Sequence, residues 1–268
     1  MNHNQTYTGL AVFDVDGVIY RDIFLKRVAQ ATGFKNYLRA LLLGWRYYTN
    51  TISFKKLLAK SYKIIESVNA SRALEIADDI KKFTNIKETI RILHRNNYFV
   101  SIISSGIPTF VLKKLGQEIY ADYCSGLEVT IEQDRIWINP HNNQSKDRIV
   151  EKLLGRLGLN WDRVVSVGDD PTNVDLIKKS RLGIGFNPSR VVRKYADVIV
   201  EGYDLLELIP YIIPEHRVPR HLTKKQFTIK REIYRKKIHF LGVLVPLGAY
   251  LDKHTTVQFL LAVIFLYT

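Results

Sequence analysis

Three apolar runs in this chain stop abruptly on small polar clusters. Residues 10–13 (LAVF) lead into Asp14-Val15-Asp16, residues 98–103 (YFVSII) into Ser104-Ser105-Gly106, and residues 164–167 (VVSV) into Gly168-Asp169-Asp170. Short continuous apolar runs bounded by turn signals read as strands buried on both faces. Between them the apolar residues recur at helical spacing, so strands and helices alternate along the chain. That alternation predicts an α/β fold, a doubly wound, Rossmann-like parallel sheet covered by helices on both faces. In such sheets ligands bind beyond the carboxyl ends of the strands. All three polar clusters fall there and are expected to converge on one crevice.

Two carboxylates one residue apart at the end of a buried strand raise each other's pKa, and desolvation adds to the cost. A cation is the simplest compensation. Mg²⁺ takes oxygen ligands and keeps several waters, so Asp14 and Asp169 are natural ligands for it. An ionised Asp14 beside a metal-bound phosphate is a competent nucleophile. Asp16 is then free to work as general acid and base. Donors for the equatorial phosphate oxygens are available in Ser104, in the amides near Ser105 and Gly106, and in Lys146 at the start of its helix.

The segment after the first strand differs in character. From about residue 23 to 83 apolar residues fall at helical spacing with no strand signal, which predicts a helical cap inserted into the core. Gly33 can stop its first helix, and Ser53 and Ser71 are candidate N-caps. The stretch 34–45, apolar but carrying Arg39 and followed by Arg46, is expected to pack inside the cap, the alternative being an amphipathic helix that dips into a membrane surface. Asn85 with Glu88 has capping-box spacing and opens the next helix. Short strands are expected around LEVTI (127–131) and RIWIN (135–139), a helix over 145–157, and another near 191–195. The expected organisation is a catalytic core of residues 1–22 and 84–214, a cap of 23–83, and an appendage of 215–268.

The motifs in their order, Asp14-Val15-Asp16-Gly17-Val18, Ser104, Lys146 and Gly168-Asp169-Asp170, resemble those of the haloacid-dehalogenase-like superfamily. The cap, with TISFKKLL, LEVTIEQDRI and ADVIVEGYDL, looks most like its phosphoserine-phosphatase-like branch, and the likeness covers about residues 9–213. The resemblance implies a Mg²⁺-dependent phosphatase acting on a phosphate monoester. Asp14 would form an aspartyl phosphate, Asp16 would serve as acid/base and lend its carbonyl to Mg²⁺, Asp169 would ligate the metal, and Ser104 and Lys146 would hold phosphate. A phosphotransferase using the same intermediate, or a silent membrane-docking module, would share this layout. Two departures stand out. Asn173 occupies a position where the family has a second acid, with Asp170 and Asp175 as substitutes. The acid that grips a substrate amine in phosphoserine-specific members has only Asp22 as counterpart, in a different register, so phosphoserine does not carry over as substrate.

The formal charge is +14, and residues 216–239 alone carry nine Lys/Arg against Glu232, a net +8. Two apolar stretches, 238–251 and 257–267, follow, each shorter than the ~20 residues of a spanning helix. A basic run before apolar segments attracts anionic lipid and favours retention on the cytosolic side. Residues 216–268 are therefore expected to associate with an anionic membrane surface, with the catalytic core in the cytosol. A nucleic-acid partner is not expected, since the run lacks interleaved stacking aromatics and any recognisable motif. Residues 232–239 (EIYRKKIH) resemble the opening of dolichol, phytol and diacylglycerol kinase membrane domains, which reads as the front part of a larger fusion and, by that neighbourhood, adds a lipid or prenyl phosphate to small-molecule phosphate esters as the expected substrate class. A single cysteine, Cys124, fits a reducing compartment, and the polar amino terminus shows no secretory signal.

Overall fold

The computed structural model describes residues 6–49, 51–139 and 144–214. The chain opens with β1 (Gly9–Phe13), followed by four helices, α1 (Phe24–Ala31), α2 (Phe34–Tyr48), α3 (Phe54–Ile65) and α4 (Ala70–Asp78). Then come α5 (Ile86–Arg95), β2 (Tyr98–Pro108), α6 (Thr109–Ile119), β3 (Tyr123–Leu127), β4 (Val129–Glu132) and β5 (Arg135–Ile138). The described chain closes through α7 (Lys146–Leu157), β6 (Val164–Gly168), α8 (Val174–Lys179), β7 (Leu182–Phe186), β8 (Val198–Val200) and α9 (Ile209–Ile212).

Six strands form one parallel sheet in the order β3-β2-β1-β6-β7-β8. Order reverses on either side of β1, so the first strand and its carboxyl end lie at the sheet centre, beside the crevice such a reversal opens. Successive side chains of a strand point to opposite faces. On one face Leu10 and Val12 pack with Phe99 and Ile103 against Val150, Leu153 and Leu154 of α7 and Leu176 of α8. On the other, Ala11 and Phe13 join Ile90 and Leu93 of α5, Leu112 and Leu115 of α6, and cap residues such as Phe24 and Ile64. Burial on both faces is why these strands are continuous apolar runs rather than alternating ones.

Two chain crossings connect α1–α4 with the sheet, and they lie side by side. Arg21 N–H donates to the Lys81 carbonyl at 2.8 Å, Phe83 N–H donates to the Ile19 carbonyl at 2.9 Å, and Tyr20 bridges to Lys82. The Arg21 guanidinium sits over the rings of Phe83 and Tyr203, 5.4 and 5.1 Å from their centroids.

Several local expectations are corrected. Asn85 does not complete a capping box: it is left-handed, with φ of 61°, and its side-chain amide donates to Asp204 at 2.8 Å, bracing the crossing segment instead. Asn69, rather than Ser71, caps α4 by accepting from Arg72 N–H, while Ser71 is bound to Asp134. Ser53 does cap α3, and Gly33, at φ of 107°, stands between α1 and α2 as the N-cap of the latter. The second strand runs on through Ser104 to Pro108, with its pairing to β3 shifting register between Ile103 and Pro108. The LEVTI stretch divides: Leu127 ends β3, and β4 forms a separate antiparallel hairpin with β5. Near residue 191 the chain makes only a 3-10 turn, Val192–Lys194. Finally, α2 packs with only one face: Leu43 is buried, with Ala40 and Tyr47 against the same core, whereas Phe34, Leu38, Leu42 and Trp45 are all exposed, Phe34 by 78%. No helix among the described residues is long and apolar enough to cross a membrane. The basic run, the two apolar stretches and the kinase-like opening at 215–268 lie outside the described residues.

Candidate active site

Asp14 directly follows β1, and its backbone N–H donates to the Val167 carbonyl of β6 at 2.9 Å. Its side chain is buried, with one carboxylate oxygen 2.7 Å from Lys146 Nζ. Lys146 begins α7 and is itself buried, an unusual position for a first-turn lysine that only a carboxylate partner makes tolerable. Lys146 also donates to Asn173 Oδ1 at 2.7 Å, and Asn173 Nδ2 donates to Asp14 at 2.5 Å and to Asp170 at 3.0 Å. Asn173 is thus the bridge among Asp14, Lys146 and Asp170. It gives its two donors to acids and its oxygen to the lysine.

Asp169 and Asp170 follow β6. Each offers a carboxylate oxygen that, with one from Asp14, lies within 4.8 Å of the others. Asp170 is held by Thr172, whose N–H and hydroxyl both reach the same carboxylate oxygen. Asp169 Oδ1 is buried without any hydrogen-bond partner. Gly17, in the left-handed region at φ of 75°, makes the approach of Asp169 feasible, since a Cβ there would stand 2.0 Å from Asp169 Oδ2. Burial, and then the neighbouring acids Asp170 and Asp14, hold the Asp169 carboxyl well above the usual carboxylate range; burial and Asp14 raise Asp170 as well. One lysine facing four acids leaves a surplus of buried negative charge. The all-oxygen donor set, the orphaned Asp169 oxygen and the glycine cradle together fit a hard divalent cation such as Mg²⁺.

Asp16 points elsewhere. It is outside the three-carboxylate cluster, and its carboxylate accepts the backbone N–H of Phe24, the first residue of α1, at 2.9 Å. Burial pushes its pKa up to about 8, with Asp14 and Asp170 adding to the rise while the Phe24 amide and Lys146 oppose it. Asp14 and Asp16 therefore occupy different electrostatic environments two residues apart, one paired with a lysine and the other inclined to keep a proton.

One cavity connects these groups. Asp14, Asp16, Lys146, Asp170 and Thr172 line its floor with Ser104, Ser105 and Gly106 from β2. The Ser104 hydroxyl accepts from the Gly106 N–H at 3.3 Å, and Ser104 is buried. The roof comes from the cap, chiefly α3. Asp22 is not part of the lining: its carboxylate pairs with Lys26 at 3.1 Å. Asp175 is exposed on α8, so of the two substitutes for the acid missing at Asn173, only Asp170 joins the cluster. Sequence reasoning missed Thr172 and the cap residues above the site. The run Asp170-Pro171-Thr172 carried a usable signal, because an aspartate two residues before an amide often closes a side-chain turn on it. Nothing local marks which face of α3 looks into a cavity.

Residues 8–180 match the family profile described as haloacid dehalogenase-like hydrolase. A phosphoserine phosphatase of Archaeoglobus fulgidus is 27% identical over 220 residues, which is 81% of this chain and 62% of that protein. The phosphoserine phosphatase of Methanocaldococcus jannaschii is 22% identical over 207 residues, 76% of this chain and 97% of that protein. This chain thus spans less than two thirds of the first relative and nearly all of the second. Among solved structures, a phospho-aspartyl intermediate analogue of phosphoserine phosphatase superposes with a TM-score of 0.68 at 20% identity, covering 77% of this chain and all of that one.

Proposed function

Because the chain belongs to the haloacid dehalogenase-like hydrolases, we propose that it is a Mg²⁺-dependent phosphatase that cleaves a phosphate monoester through an aspartyl phosphate on Asp14. The observation that carries this reading is the buried Asp14–Lys146 contact set against Asp169 and Asp170 at the floor of a capped cavity. Its similarity to phosphoserine phosphatases, one of them solved as a phospho-aspartyl intermediate analogue, supports it.

In this reading the Asp14 carboxylate attacks phosphorus in line with the ester oxygen. A carboxylate–phosphorus bond forms as the phosphorus–alkoxide bond breaks. Asp16, protonated near neutral pH because burial raises it to about 8, delivers its proton to the departing alkoxide. Once ionised, Asp16 takes a proton from water, which attacks phosphorus, frees inorganic phosphate and restores both aspartates. Ser104, the amides of Ser105 and Gly106, and Lys146 bind the equatorial phosphate oxygens. Asp14, Asp169 and Asp170 would hold Mg²⁺ through their side chains, with the Asp16 carbonyl as the ligand the family resemblance adds. The ion supplies charge neutralisation for nucleophile and phosphate together. Lys146 and Asn173 hold the Asp14 carboxylate through its Oδ2. The core acts in the cytosol in this reading, and residues 216–268, by their charge pattern alone, associate with an anionic membrane.

The test is release of inorganic phosphate from p-nitrophenyl phosphate with added Mg²⁺. Loss of turnover in Asp14→Asn and on chelation is expected. Equal rates for wild type and Asp14→Asn overturn the reading.

A further inference from the structure

The roof of the cavity is built from Ile23, Leu25, Leu57, Leu58, Tyr62 and Ile65. Ser61 also faces it, but its hydroxyl proton is given to the Leu57 carbonyl at 2.9 Å, which leaves an uncharged acceptor there. Among the described residues lining the cavity, every charged one, Asp14, Asp16, Lys146 and Asp170, lies on the floor with the phosphate-binding groups. The nearest acid at the cap entrance, Asp22, is neutralised by Lys26 and lies outside the lining. A leaving group carrying an ammonium and a carboxylate would have to shed water against walls that offer two hydroxyls, Ser61 and Tyr62, and no charge to pair it. An alkyl group would be favoured there in proportion to the area it buries.

Resting on the phosphatase reading above, we propose that the cavity selects phosphate monoesters of apolar alcohols over phosphoserine. The experiment compares kcat/KM of the full chain with Mg²⁺ on ethyl, butyl, hexyl and octyl phosphate, on phosphoserine and on p-nitrophenyl phosphate. Each added methylene should raise kcat/KM about fourfold until the roof is filled, which is ~0.8 kcal/mol per buried CH₂. Phosphoserine should fall roughly 100-fold below hexyl phosphate. Leu58→Gln should flatten the chain-length series, and Leu57→Asn provides a second variant should the first not fold. If phosphoserine matches hexyl phosphate while Asp14-dependent turnover of p-nitrophenyl phosphate persists, the apolar preference is overturned and the phosphatase reading stands. If no ester is turned over, both fall.

A separate observation concerns the outside of the cap. Phe34, Leu38, Leu42 and Trp45 follow one another at spacings of four, four and three, so they form a single stripe along α2, and all four are exposed. Lys35, Arg39 and Arg46 flank the stripe, and α2 contains no acid. The surrounding residues 24–65 carry nine Lys/Arg and no Asp or Glu. Aromatic and aliphatic residues bordered by cations on a helix are suited to the interface of an anionic bilayer, where apolar burial and charge attraction act together.

We infer that α2 docks on an anionic membrane surface. Trp45 can report it directly: in a Trp137→Phe/Trp161→Phe chain it is the one remaining indole of three. Its emission should shift to the blue on mixed phosphatidylcholine–phosphatidylserine vesicles and stay unchanged on phosphatidylcholine alone. Adding Phe34→Ser/Leu38→Ser/Leu42→Ser to that chain should abolish the shift, whether or not residues 216–268 keep the protein on the vesicle. An unshifted Trp45 on vesicle-bound protein overturns the inference. So does a shift that survives the three serines, or one that follows protein concentration without vesicles, which would make a second copy the occupant.

Discussion

Lys146 Nζ stands 2.7 Å from an Asp14 carboxylate oxygen, with each side chain about one-twentieth exposed. In so dry a setting the two charges depend on one another. Lys146→Met leaves Asp14 with three further acids nearby and no cation from the chain. Breaking a buried pair from one side typically costs about 3–5 kcal/mol. Lys146→Met should therefore lower the urea midpoint of the metal-free protein markedly and cut kcat by roughly 100-fold or more. Adding Asp14→Asn to that variant should restore much of the stability and none of the activity. A double variant as unstable as Lys146→Met would contradict the pairing.

The acids predict an unusual pH dependence for the metal-free protein. Asp16, Asp169 and Asp170 all have folded-state pKa values above the ordinary carboxylate value, Asp16 at about 8. Between the ordinary value and the raised one, the folded state holds protons that the unfolded state has released. Stability is then greatest at mildly acidic pH and falls as pH rises toward 8, by at most about 1.4 kcal/mol per pH unit for each group. Thermal unfolding from pH 5 to 8 should show Tm falling in chelator and a much flatter profile in Mg²⁺. A rising Tm in chelator would contradict the burial argument.

Asn173→Asp places a carboxylate where two amide hydrogen bonds to acids now sit. The Lys146 contact survives, because an aspartate oxygen can replace Asn173 Oδ1. The variant should lower the metal-free Tm by several degrees while enlarging the Tm gain on adding Mg²⁺, both readable by calorimetry. Equal gains in variant and wild type would show that residue 173 has no bearing on the cation.

Gly17→Ala tests the cradle around Asp169. The left-handed backbone alone costs an alanine about 1–2 kcal/mol, and the new Cβ would collide with the Asp169 carboxylate. Asp169 must move, so Mg²⁺ affinity measured by titration calorimetry should fall toward that of Asp169→Asn. Unchanged affinity would mean that Asp169 is not held where the cation sits.

Much of this arrangement could be read from residue order. β1, β2 and β6 were legible because both of their faces are buried, leaving apolar runs that end where polar groups are needed. β3 was not, since Tyr123-Cys124-Ser125-Gly126 offers no apolar run and owes its strand to pairing with β2. Asn85 was misread because capping spacing cannot reveal that Asp204, far along the chain, claims its amide. The period of α2 showed two faces but could not say which one meets the core. The floor of the cavity was traceable in the motifs, whereas its roof depends on how α3 is turned, a matter of long-range packing.

The paired crossings at Arg21–Lys81 and Ile19–Phe83 carry the chain between α1–α4 and the sheet as two adjacent segments. These helices are fastened elsewhere as well: Ala70 N–H donates to the Asp134 carbonyl, Ile138 N–H donates to Glu66, and Lys114 of α6 pairs with Asp78. Asp16 is bonded to the first residue of α1, next to those crossings. A shift of α1 would therefore also disturb the carboxylate proposed above as the proton donor.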